Sequence, residues 1–305
     1  MKHYYSLNEY LRGRFGCKVY KLSLDGGFTC PNRDGTLDTR GCIFCSGRGS
    51  GEFAVSSGED VAAALERAKA FVGQKAPDCK YIAYFQSFTG TYAPLERLES
   101  LYRAAIAPEE ILGLSVATRP DCLGDDVIEL LTHINRIKPV WVELGLQTVH
   151  EETARYIRRG YELPVFDDAL RRLKAAGLQV VVHMIIGLPG ETDSMIYETA
   201  RYIGRSGAHG VKFQLLHVQQ GTDLAEDYRQ GLFDTLSMEE YARLLAGCIR
   251  RIPPETVVHR ITGDGDKRIL IAPLWSGDKK RVLNYVNQYF DSINLVQGSE
   301  FFVAL

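Results

Sequence analysis

LQVVVHMIIGL, residues 178–188, is apolar at nearly every position. A strand with one wet face would alternate, and an amphipathic helix would turn polar every third or fourth residue. A short continuous apolar run instead fits a parallel strand covered on both faces. The flanking sequence repeats that unit. Upstream, VFDDALRRLKAAG (165–177) reads as a helix stopped by Gly177. VWVELGL (140–146), ILGLSVAT (111–118), YIAYF (81–85) and VYKLSL (19–24) read as earlier strands. Between them lie helical patterns at DDVIELLTHINRI (125–137), from Pro94 through Ala105, and at DVAAALERAKAFV (60–72). Downstream come a helix from about Glu191 to Ile203, a sixth strand VKFQLLHV (211–218), and the helix SMEEYARLLAGCIRRI (237–252) with Ser237 as its cap. Beyond Pro253-Pro254, TVVHRI (256–261) looks like one more strand, followed by turns and a last helix. Strands alternating with helices about six times predict an α/β chain built on a parallel sheet. A barrel or partial barrel fits the repetition; a doubly wound open sheet is the competitor that patterning alone does not exclude.

The loop after the first strand carries the chemistry. CPNRDGTLDTRGCIFC places Cys30, Cys42 and Cys45 within sixteen positions. A closed structural zinc site takes four ligands, and three thiolates leave one short. Cys17 could complete a zinc site, and Cys42-x2-Cys45 could be a redox pair. The third reading is an iron–sulfur cluster left open at one iron. Its context is favourable: the loop follows a strand at the end where barrels place their chemistry. Gly26, Gly27, Gly35 and Gly41 let it bend, and Phe44 is poised to cover an apolar face. Cys79, Cys122 and Cys248 are widely separated and read as structural.

Bulk properties narrow the class. A length of 305 residues suggests one large domain, and the net charge of -2 excludes a chain-wide polyanion binder. No apolar signal core opens the chain and no apolar run is long enough to span a bilayer, so a cytoplasmic protein with no membrane partner is expected. The odd cysteine count argues against a disulfide framework. Residues 1–50 hold eight Lys/Arg against four Asp/Glu. Arg12, Arg14, Lys18, Lys21 and Arg33, interleaved with Tyr4, Tyr5, Tyr10, Phe15 and Tyr20, form either a basic aromatic edge for nucleic acid or a covering segment with solvated charges. His259, Arg260, Asp264, Asp266, Lys267, Arg268 and the run Lys279-Lys280-Arg281 allow the same two readings.

The cysteine stretch, with YFQSFTGTYAP (84–94), ATRPDCL (117–123), VELGLQTVHEET (142–153), HMIIGLPGET (183–192), LLHVQQGT (215–222) and HRITGD (259–264), resembles the radical S-adenosylmethionine (SAM) enzymes. Within them the chain is similar to the branch typified by the catalytic subunit of Elongator, and to a bacterial family long described only as radical SAM proteins. The superfamily's usual Cys-x3-Cys-x2-Cys is here opened to eleven residues in its first gap, as in that branch.

The resemblance implies a partial (β/α)6 TIM-like barrel of the radical SAM type. The core would span 18–252, with an N-terminal extension at 1–17 and a C-terminal extension at 253–305 packed on it. It implies that Cys30, Cys42 and Cys45 hold a [4Fe–4S] cluster whose fourth iron SAM chelates, and that reductive SAM cleavage yields a 5′-deoxyadenosyl radical. Gln86 and Ser87 match the motif that receives the SAM amino group; Ser115 and Arg119 fall where its carboxylate would be met. Glu143 and Gln147 would meet the ribose or ammonium group, or Glu143 would satisfy buried backbone donors. Phe44, Ile185, Gly187, Leu215 and Leu216 would approach the adenine side. Arg12, Arg14, Lys21, His217 and Arg260 are the candidate substrate contacts. The implied partners are tRNA, through wobble-uridine modification, and a one-electron donor such as flavodoxin or ferredoxin. Chemistry on a small metabolite or cofactor precursor is the alternative enzyme role, and a zinc-stabilised RNA-binding protein the non-catalytic one. The oligomeric state is not legible in the sequence.

Overall fold

The computed structural model describes residues 3–49, 51–56, 60–72, 79–263 and 265–302; Asp264 lies outside them. The expected strands form β1 (Val19–Asp25), β3 (Lys80–Phe85), β4 (Ile111–Thr118), β5 (Val140–Gln147), β6 (Gln179–Ile186), β7 (Gly210–Leu215) and β9 (Val257–Arg260). With the short β2 (Val55–Ser56) they build an eight-stranded sheet in the order β2-β1-β3-β4-β5-β6-β7-β9. Every pairing in it is parallel. The sheet curls through 186° into a half-barrel, which settles the choice against a flat doubly wound sheet. Because β9 joins β7 directly, the segment after residue 252 adds a strand to the sheet as well as packing on it.

The apolar patterning explains the outer layer. Helices α2 (Val61–Val72), α3 (Leu95–Ile106), α4 (Asp125–Ile137), α6 (Leu163–Ala175), α7 (Asp193–Arg205) and α9 (Met238–Arg250) bury their apolar stripes against the sheet. Ser237 caps α9 in a reciprocal capping box with Glu240, and Gly177 turns the chain after α6 at φ +73°. The final helix, α10 (Lys279–Ser292), packs on α9.

Some pieces were not expected. Helix α1 (Leu7–Phe15) closes the barrel at the amino ends of the strands, where Leu11 packs with Val19, Ile82, Trp141 and Val181. Helices α5 (Glu151–Tyr156) and α8 (Asp223–Arg229) are short and lie beside the cysteine loop. The expected strand 211–218 breaks after Leu215; β8 (Val218–Gln219) instead pairs antiparallel with β10 (Leu270–Ala272).

Candidate active site

At the carboxyl ends of the strands a cavity of about 310 Å³ opens among the residues the motifs single out. Cys30, Cys42, Cys45 and Phe44 line one side. The cysteine loop is clamped by the two helices that sequence reading missed. Ile43 donates its backbone N–H to the Ile157 carbonyl at 3.2 Å, just past α5, and accepts from the Leu224 N–H of α8 at 2.9 Å. Gly41 holds φ +78°, and a Cβ there would stand 2.8 Å from Arg33 Nε. The Arg33 guanidinium donates to the carbonyls of Cys45 at 2.6 Å and Ser46 at 2.7 Å.

Burial, then the neighbouring Cys45, pushes the Cys42 thiol up to about 12, with Arg119 opposing. Burial also raises Cys45, against the pull of Arg33. Loading a metal must therefore displace protons, and the two arginines favour the thiolates. Among the described residues no three His, Cys, Asp or Glu side chains stand close enough to hold a single metal ion. The three thiols face one cavity. Cys17 packs beside α1 at the opposite end of the barrel, far from a fourth-ligand position.

The cavity wall carries signs of a bound group. Gln147 sits at φ +67° and its buried Oε1 has no hydrogen-bond partner. Of the described non-glycine residues with positive φ, Phe88 and Gln147 line the cavity and Arg158 supports the loop by accepting from Asn32 Nδ2 at 2.8 Å. Backbone strain of this kind concentrates where ligands are held. Thr89, also on the wall, has a buried hydroxyl without a partner. Three thiols lining one cavity, beside unsatisfied amide and hydroxyl oxygens, fit a thiolate-held cluster with a polar organic ligand on its open side.

Beneath the cavity lies a polar layer inside the barrel. Glu143 is fully buried and accepts from five side chains. Its Oε1 receives Lys21 Nζ and Ser115 Oγ (2.8 Å); its Oε2 receives Tyr84 OH (3.0 Å), His183 Nε2 (2.7 Å) and Lys212 Nζ (2.8 Å). Burial works to raise Glu143, but Lys21 and Lys212 hold it well below the usual carboxylate range. Burial pulls Lys212 down to about 7, with Glu143 opposing, and pulls His183 down to about 4. His183 is therefore neutral at pH 7: its Nε2–H donates to Glu143 and its Nδ1 accepts from Gln214 Nε2 at 3.3 Å.

Several expected site residues meet on this frame. Gln86, Arg119, Glu143, Gln147, Ile185, Leu215, Leu216, His217 and Arg260 line the same cavity as the cysteines. Others are placed differently. Glu143 is satisfied by side chains rather than by backbone donors. Ser115 is buried below the cavity on Glu143. Ser87 is buried behind the wall against Gly51, where a Cβ would come within 2.0 Å of its Oγ. Gly187 approaches Leu236, at 2.9 Å from a Cβ, rather than the cavity. The carboxylate that Arg119 grips is the protein's own: its fork binds Asp121 at 2.9 and 2.7 Å, and its third arm donates to the Arg159 carbonyl at 2.8 Å.

Of the two readings of the N-terminal basic residues, the placement of Lys21, Arg14 and Arg12 fits the covering segment. Lys21 turns into the barrel on Glu143. Arg14 lies under the barrel over Trp141 and Phe15, and Arg12 shares that helix, away from the cysteine loop. The sequence reading missed Tyr84, His183, Lys212 and Gln214. Their signal was present: each polar residue interrupts an apolar strand on the inward-facing parity.

The sequence profile described as Radical SAM superfamily matches residues 39–203, and that described as Radical_SAM C-terminal domain matches 208–292. Protein YtqA of Bacillus subtilis (strain 168) is 43% identical over 98% of this chain and 93% of its own. Protein YhcC of Escherichia coli (strain K12) is 36% identical over 95% and 92%. Human Elongator complex protein 3 is 28% identical over 50% of this chain, which covers 28% of that protein. Among solved structures, Elp3 of the archaeon Methanocaldococcus infernus superimposes with a TM-score of 0.68 at 20% identity, over 92% of this chain and 64% of that one, a likeness of fold.

Proposed function

Since the chain belongs to the radical SAM superfamily, in its Elongator (Elp3)-like branch, and is thereby a radical SAM enzyme, we propose that it modifies the side chain of a tRNA wobble uridine. The observation that carries the chemical part of this reading is the single cavity shared by Cys30, Cys42 and Cys45 with the unsatisfied Gln147 amide. Cys30, Cys42 and Cys45 would hold a [4Fe–4S] cluster, and Gln86, Gln147, Ile185, Leu215, Leu216 and Phe44 would wall the SAM site. Ser87, Ser115 and Gly187 would act from behind that wall, and Arg119, on the wall itself, would fix its position through Asp121 and the Arg159 carbonyl. Bound together, cluster and SAM supply a carbon radical that removes hydrogen from substrate. The protein's share is geometry and exclusion of water. The Glu143 layer closes the floor beneath the reacting group, and His217 and Arg260 face the substrate side.

The tRNA part follows from the likeness to the Elongator branch. An anticodon-loop base is already partly unstacked, so it can enter a recessed cavity at small cost. A one-electron donor such as flavodoxin or ferredoxin would reduce the cluster. No helix among the described residues is long and apolar enough to cross a membrane.

Two measurements test the reading. Anaerobic purification should give a brown protein with about four iron and four sulfide per chain, as expected of one [4Fe–4S] cluster, and it should release methionine and 5′-deoxyadenosine from SAM on reduction. Zinc alone, with no SAM cleavage, would overturn it. Nucleoside analysis of tRNA from cells with and without the protein should show a changed wobble uridine. An unchanged profile in cells that express it would shift the substrate to a small metabolite.

A further inference from the structure

The cavity mouth continues into a second depression, and one residue belongs to both. Phe53 lines the cysteine cavity and also a neighbouring groove formed with Gly265, Asp266, Lys267, Ser276, Gly277 and Lys279. Phe53 is 55% exposed. Lys267 and Lys279 line that groove, and Lys280 and Arg281 line the next depression along α10 with Asn284 and Tyr285. Arg48, Lys267, Arg268, Lys279, Lys280 and Arg281 are all exposed, although the whole chain carries a net charge of -2. Arg268, bonded to Asp266, holds that carboxyl below its usual range, and Arg48 of the cysteine loop adds a smaller pull in the same direction. Among the described residues the acids along this surface are Glu52, which lines the cavity beside Phe53, Asp266, paired with Arg268, and Asp278, which caps α10. The first turn of α10 holds three cations and no acid beyond its cap, an arrangement that the helix dipole opposes. Lys280 and Arg281 line a depression whose one acid among the described residues is Asp278, a surface suited to an anion.

We propose that this strip is the docking face for a single-stranded RNA loop, with phosphates on Lys267, Lys280 and Arg281 and a base stacked on Phe53 at the lip of the cavity. The inference rests on the tRNA reading and says where that partner approaches. Basic tracks interrupted by an aromatic ring suit single strands, because every base has a face to stack and every nucleotide a phosphate. The position fits as well. The strip leads to the mouth, so a loop seated on it presents its next base to the cavity, whereas α1, expected to serve this purpose, is at the closed end of the barrel.

The test uses the full-length protein with its cluster reconstituted and a fluorescein-labelled, unmodified anticodon stem–loop RNA, followed by anisotropy across a salt series. The charge-reversed variant Lys267→Glu/Lys280→Glu should bind at least about tenfold more weakly, with the salt slope smaller by about 1.4, near 0.7 for each phosphate of a single strand that is no longer neutralised. Phe53→Ala should weaken binding roughly tenfold. Arg12→Glu, on the opposite end, should bind like the parent. Iron and sulfide content checks that each variant is folded. If the parent binds and the charge reversal changes nothing, or Arg12→Glu weakens binding as much, the docking face is wrong while the tRNA reading stands. If the parent binds no RNA, both fall and the radical chemistry remains. If the reversal spares RNA but slows reduction by flavodoxin, the strip belongs to an acidic electron donor and the inference is overturned.

Discussion

Lys212 Nζ lies 2.8 Å from Glu143 Oε2, and both side chains are sealed inside the barrel directly beneath the candidate cavity. Glu143 is shared: Lys21 takes its other oxygen, and Tyr84, Ser115 and His183 complete the set. The layer is therefore a network in which one carboxylate holds two lysines in place. It also fixes the wall above, because Gln214, which lines the cavity, donates to His183.

Removing that carboxylate should be severe. Glu143→Gln leaves Lys21 and Lys212 facing each other without an anion, and breaking a buried pair from one side costs about 3–5 kcal/mol. Chemical denaturation of the reconstituted protein should show a loss of that size. Lys212→Met alone should cost less, since Lys21 still serves Glu143. A Glu143→Gln variant as stable as the parent would mean that the network carries little energy.

Acid should act through the histidines. Burial lowers His183 and His209 to about 4 each, and His259 well below its ordinary value. A histidine depressed in the folded state binds its proton in the unfolded chain first. Its contribution is thus fully present above about pH 6.5 and is lost as the pH falls toward 4. For His183 this amounts to about 3 kcal/mol over that window. Stability measured from pH 7 to 4.5 should fall steeply, and His183→Gln should flatten the curve by about a third, one of three histidines. An unchanged slope in that variant would place the acid sensitivity elsewhere.

The cysteine loop has a weak point of a different kind. Gly41→Ala must carry a side chain at φ +78° and push Arg33 away from 2.8 Å. Strain of about 1–2 kcal/mol would fall on the residue just before Cys42, and Arg33 would lose its hold on the Cys45 and Ser46 carbonyls. The variant should fold but reconstitute with less iron and sulfide and a weaker visible absorbance. Full cluster content would show that the loop's shape tolerates the change.

What the sequence made legible follows from which forces act locally. The strands and the long helices are written in apolar periodicity, and their boundaries fall within two residues of expectation at β4, β5 and α4. Helices α1, α5 and α8 have nine, six and seven residues, too few to show a periodic face. Their order comes from tertiary contacts such as Leu11 on Trp141 and Leu224 on Ile43. Lys21 and Arg14 looked like surface charges because a sequence does not say which side of the barrel a basic residue faces. Glu143 stood out as a costly polar residue in an apolar strand, but its partners come from other strands across the barrel, which only the curled sheet brings together.

Arg119 distinguishes a ligand contact from a positioning role. Its planar fork grips both oxygens of Asp121 while its third arm holds the Arg159 carbonyl, so it ties the end of β4 to the turn after α5. Lysine keeps the charge but replaces the fork with a single ammonium, which cannot make the bidentate pair. Arg119→Lys should lose about 1–3 kcal/mol of stability. Gln147 and the Arg158–Gly160 turn should shift with it, raising the KM for SAM while leaving iron content intact. Were Arg119 instead a direct partner of the SAM carboxylate, the same substitution would weaken SAM binding with no change in the denaturation midpoint. Measuring both on one preparation separates the two, and the Asp121 pairing predicts that the midpoint moves.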